Sequence, residues 1–117
     1  MVFDERLGIL RSGNVISSDV EDQVRKVISR LEEHWEIKLT EENGGRIVTH
    51  LAMALMRIKK GENIRPPESS VIEEFRDLDV FEPSCEIVDD LIVWTAMNLP
   101  KAEKEYMIVN ICLLLDK

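Results

Sequence analysis

Residues 40–61 read TEENGGRIVTHLAMALMRIKKG, and this stretch decides the fold class. Thr40 stands where an N-cap belongs, and Glu41 and Glu42 bring negative charge to the first turn. Ile47, Leu51, Ala54, Leu55 and Ile58 then recur at helical spacing up to Gly61. At about 100° per residue, with Ile47 at zero, the apolar arc runs from about −20° to about +100°. Gly44 and Gly45 weaken the first half of this helix by about 1 kcal/mol each. Glycines so placed often mark the close approach of another element.

The same period extends in both directions. Upstream, Phe3, Leu7 and Leu10 predict two or three helical turns closed by a C′ glycine, Gly13, within an N-terminal lead-in over residues 1–17. Ser18-Asp19-Val20-Glu21 has the spacing of a capping box, and Val20, Val24, Val27, Ile28, Leu31 and Trp35 fall on one stripe. Downstream, Pro66-Pro67 interrupts the chain as a hinge between two halves. Residues 68–78 then read as a short helix with Val71, Ile72 and Phe75 inward. Ser84 is the expected cap of a helix carrying Ile87, Val88, Leu91, Ile92 and Thr95, broken before Pro100. A last helix from about Pro100 turns Tyr106, Val109, Cys112 and Leu113 toward a core. No segment alternates convincingly with period two. The expectation is an all-α protein, a compact bundle of about five principal helices, in a single domain over residues 1–117 whose bundle occupies residues 18–117.

Composition narrows the function. The chain has 117 residues, 44% hydrophobic and 32% charged, which excludes disordered and fibrous classes. Its 15 Lys and Arg against 23 Asp and Glu give −8, a field that repels phosphate backbones and argues against nucleic acid as a partner. Charge is unevenly placed: residues 57–65 carry +3, while residues 66–95 carry nine acids against Arg76. That contrast is either a pair of solvated surfaces or a docking face for a charged partner. Cys85 and Cys112 lie in apolar surroundings without metal-ligand spacing, so the expectation is two buried thiols, no metal and no cofactor. The N-terminus lacks the features of a signal peptide, and no apolar run approaches the roughly 18 residues of a spanning helix. A soluble cytoplasmic protein, without membrane partners, is expected.

His50 is the residue most able to carry chemistry. It falls at about −60°, on the border of the apolar arc, and seven steps of about 100° bring Arg57 to within about 20° of it, two turns later. The rise between them is about 10.5 Å, and a long side chain leaning back toward the N-terminus shortens that reach. A neutral imidazole is a good nucleophile near neutral pH, and a guanidinium nearby would stabilise a phosphoryl group on it. The plainer alternative is a boundary histidine hydrogen-bonded to a neighbouring helix. His34, beside Glu33 and Trp35, reads as an exposed helix-end residue, and Trp35 and Trp94 as core or interface anchors.

The stretch THLAMALMRIKKG, residues 49–61, resembles the first histidine motif of the PTS regulation domain, the all-helical module of bacterial sugar-responsive regulators, with its HxxxxxxR spacing. The family's second motif is an acid, an aromatic residue, and a histidine four positions after the aromatic. Here Glu103-Lys104-Glu105-Tyr106 supplies the acid and the aromatic residue, and Asn110 stands where the second histidine would be. The resemblance implies a regulatory protein, not an enzyme, phosphorylated on histidine by phosphocarrier proteins of the sugar phosphotransferase system and pairing as a homodimer. Of the two usual acceptors only His50 is left, with Arg57 as its anion partner, because an amide nitrogen has no free lone pair to take a phosphoryl group. The family usually attaches tandem copies to a nucleic-acid-binding domain, whereas this chain reads as a stand-alone single copy. A rival reading keeps the fold and drops the chemistry: a docking module that is never phosphorylated.

Overall fold

The computed structural model describes residues 2–116, which fold into six α-helices and, among those residues, no strand. They are α1 (Asp4–Ser12), α2 (Ser18–Glu33), α3 (Glu41–Lys59), α4 (Ser69–Arg76), α5 (Phe81–Thr95) and α6 (Lys101–Leu115). The all-α expectation holds, with six helices instead of about five. The chain divides into two compact units, residues 1–62 and 63–117, and the division falls just before Pro66-Pro67.

In the first unit α3 and α1 each pack on α2, and Arg6 of α1 reaches across to α3. Val24, Val27, Ile28 and Leu31 of α2 and Leu51, Ala52 and Leu55 of α3 are buried along facing stripes. Thr40 caps α3 as expected: its Oγ1 accepts from the Asn43 amide at 3.1 Å, and the Asn43 Oδ1 accepts from the Thr40 amide at 2.7 Å. The glycine pair beyond that cap is explained by α1. A Cβ on Gly44 would lie 3.0 Å from Cζ of Phe3, and one on Gly45 would lie 2.9 Å from Nη2 of Arg6. Phe3 and Leu7 have no exposed surface, so the first helix is part of this unit's core and not a lead-in to it.

Helix ends show how the chain turns. After α1 the left-handed residue is Asn14, with φ 58°, and not Gly13, whose φ is −83°. The amides of Asn14 and Val15 close back on the carbonyls of Arg11 and Leu10 in a Schellman motif. The same closure ends α3 at Gly61, φ 74°, and α5 at Ala96, φ 54°. At α2 the cap position is Ser17, whose hydroxyl donates to Asp19 and accepts from no helix amide, so the capping box expected from Ser18 does not form. Trp35 lies beyond the end of α2 and is half-buried, outside the stripe assigned to it.

In the second unit the short loop 96–100 returns α6 along α5, and α4 packs on both. The start of α5 is three residues earlier than the expected Ser84 cap. Pro83 is tolerated because it sits in the first turn, where its missing N–H has no intrahelical partner, and the buried Ser84 hydroxyl donates to the Val80 carbonyl at 2.6 Å. Ile72 of α4 is buried and Phe75 half-buried, whereas Val71 is exposed. In α6 the inward residues are Glu103, Met107, Asn110, Ile111 and Cys112. Tyr106 and Leu113, expected inside, are exposed, and Val109 is half-buried. Cys112 is buried and Cys85 half-buried, both as free thiols pushed up in pKa by burial.

Candidate functional site

The buried arc of α3 reaches from Ala54 through Ile47, Leu51 and Leu55 to Ala52, wider than the sequence indicates. His50 falls outside it and is exposed. Arg57, on nearly the same longitude two turns later, is half-buried. Met53 is exposed, and Met56 is half-buried with its Sδ 3.7 Å from the Ser17 hydroxyl.

Two features of this face escape the motif. Arg46 is exposed four residues before His50, so cations stand both one turn before the imidazole and two turns after it. The i,i+4 spacing was available in the sequence as a signal for it. The other feature is long-range: Arg6 of α1 donates from Nη1 to Thr49 Oγ1 at 2.8 Å and from Nη2 to Glu41 Oε2 at 2.9 Å. This bridge ties α1 to the residue adjoining His50 and borders a hollow of about 480 Å³ that Val2, Ile9 and Leu10 also line. No local pattern foretells a contact across 43 positions.

At the C-terminal end of the same helix, Lys59 Nζ donates to Asp19 Oδ1 at 2.8 Å and to Ser17 Oγ at 3.0 Å. The Lys59 hydrogen bond first, and the Ser17 hydroxyl second, hold the Asp19 carboxyl down to about 2. The contact links the start of α2 to the end of α3, the helix that carries His50.

The second-motif positions separate by burial. Glu103 and Asn110 are seven apart on α6 and share a longitude, as His50 and Arg57 do on α3. They are 3% and 7% exposed, whereas Tyr106 is 36% exposed at the edge of that face. Among the described residues no group of three or more His, Cys, Asp or Glu side chains is placed to hold a metal ion. No helix there is long and apolar enough to cross a membrane.

These positions lie within a stretch, residues 25–111, that matches the PRD domain family. An uncharacterized protein of Escherichia coli K12, YhfY, is 26% identical over 109 residues, covering 93% of this chain and 91% of its own. An uncharacterized protein of Haemophilus influenzae is 25% identical over 96 residues, covering 82% of this chain and 77% of its own. Both relatives are therefore short proteins, as a stand-alone domain requires. No solved structure matches the chain. With the family match spanning most of its length and both histidine-motif positions inside it, this chain belongs to the PRD domain family.

Proposed function

We propose that this protein is a regulatory substrate of the sugar phosphotransferase system, accepting a phosphoryl group on His50 from a phosphocarrier protein in the cytoplasm. The observation that carries the reading is the exposure of His50 on α3, a helix whose other face is buried. An incoming phosphohistidine needs an accessible, oriented imidazole, and α3 supplies one on a rigid element. Arg57 acts as the anion partner, adding a guanidinium on the same longitude, and Arg46 adds a second cation. The protein itself is no enzyme in this scheme: the donor carries the chemistry and His50 receives it.

Asn110 makes the switch single. Buried and unable to accept a phosphoryl group, it keeps a polar residue at the second-motif position without a second titratable site. The same residue favours the rival reading, in which the domain docks onto a partner and is never modified. Incubation with phosphoenolpyruvate and the general phosphocarrier proteins separates the two. Acid-labile phosphate on the wild type and none on His50→Ala is the expected result. No incorporation in the wild type, with a donor that phosphorylates a control acceptor, overturns the proposal.

We further propose a symmetric homodimer. Met53 on the His50 face and Ile9 on α1 leave apolar surface uncovered, and closed two-fold pairing is the commonest way to cover such surface.

A further inference from the structure

A hollow in the second unit plays no part in that reading. It lies between α4, the Pro66-Pro67 segment and the first turns of α6, and has a volume of about 470 Å³, within the range of small-molecule sites. Pro66, Pro67, Ile72, Phe81 and Ile108 give it apolar walls.

Its charges are arranged in pairs. Glu73 and Arg76 are three apart on α4, and Lys101 and Glu105 are four apart on α6, so each helix offers one cation and one acid to the same space. Lys104 also lines the hollow, but its ammonium is engaged by Asp89 at 2.7 Å. The side chains of Glu73, Arg76, Lys101 and Glu105 make no ion pair or hydrogen bond among the described residues. Four uncommitted charges, two of each sign, thus surround an apolar floor.

We propose that this hollow binds a zwitterion with a bulky apolar tail, an α-amino acid of the leucine or phenylalanine type. Charge complementarity selects the class. A simple organic anion would meet Glu73 and Glu105 unpaired, and would approach a segment, residues 66–95, that carries nine acids against one arginine. A simple amine would leave Arg76 and Lys101 unpaired. A zwitterion of zero net charge satisfies both sets: its carboxylate goes to Arg76 and Lys101, with the planar guanidinium suited to a two-point contact, and its ammonium goes to the glutamates. The tail then displaces water from Ile72, Phe81 and Ile108.

The test is a titration of the isotope-labelled full chain, followed by amide NMR, with L-phenylalanine, L-leucine, 3-phenylpropionate, 2-phenylethylamine and glycine. Saturable shifts confined to residues 66–81 and 101–108 are expected with the two apolar amino acids. Binding at least about tenfold weaker is expected for the three probes that each lack one charge or the tail. Arg76→Gln and Glu105→Gln each weaken L-phenylalanine by about tenfold while the spectrum keeps its folded dispersion. The proposal is overturned if 3-phenylpropionate or 2-phenylethylamine binds as well as L-phenylalanine. It is equally overturned if no amino acid gives saturable shifts, or if neither substitution changes the affinity.

Discussion

Replacing Gly44 by alanine asks whether the first helix is built into the unit that holds His50. In an exposed helix the change stabilises by about 1 kcal/mol, because alanine gives up less backbone freedom on folding. Here the new methyl carbon would stand 3.0 Å from Phe3 Cζ and 3.3 Å from Leu39 Cδ2. Phe3 is fully buried and Leu39 is 2% exposed, so neither swings away, and forcing a methyl into such a site costs roughly 1–3 kcal/mol. The packing term wins, and Gly44→Ala is expected to destabilise by about 1 kcal/mol. Gly45→Ala is the control next door. Its neighbours are the ends of Arg6 and Glu41, side chains 37% and 46% exposed that can move at the cost of a surface ion pair. The result there is expected between neutral and about 1 kcal/mol stabilising. Urea unfolding followed by far-ultraviolet circular dichroism measures both, and Phe3→Leu should shrink the Gly44 penalty in a double-mutant cycle. If Gly44→Ala stabilises the protein as an exposed helix glycine would, Phe3 does not lie against α3 and the reasoning fails.

Other outcomes follow from single contacts. Asp19 has a folded pKa of about 2 against an ordinary 3.8, so its stabilising contribution is complete above 3.8 and disappears as the pH falls through about 2. Asp19→Asn should therefore unfold at lower denaturant than wild type at neutral pH, with the two curves converging in strong acid. Failure to converge would mean that another group sets the difference. Ala96 sits at φ 54°, where glycine is at no steric disadvantage, so Ala96→Gly should stabilise by about 1 kcal/mol in the same unfolding assay. Sedimentation at high micromolar concentration should give twice the 13.5 kDa chain mass, and a monomer there removes the dimer from the proposal.

The first unit was largely legible because its signals are local and agree with one another. Thr40 with acids behind it, a steady apolar period and Gly61 at the end all describe one helix, and that is the helix found. Even the glycine pair announced a close approach, although nothing nearby said that Phe3 and Arg6 make it. The last helix differs in phase from its expected face. Apolar residues occur nearly all round it, so spacing alone does not pick out one face. Glu103 and Asn110 are inside, and Tyr106 and Leu113 take the outer positions. A core that encloses polar groups inverts the rule by which a helical wheel is oriented. The start of α5 is hidden for a related reason: Ser84 has the chemistry of a cap, yet its hydroxyl bonds backward to Val80 from within the helix. The family resemblance was legible because it depends on residue identities at fixed spacing, which survive such errors of phase.

The most direct measurement of the central claim is the intact mass of the protein after exposure to phosphoenolpyruvate and the general phosphocarrier proteins at neutral pH. The account predicts one added phosphoryl group per chain, lost on mild acid treatment and absent from His50→Ala. No gain beside a phosphorylated control acceptor, or a gain that persists in His50→Ala, would contradict it.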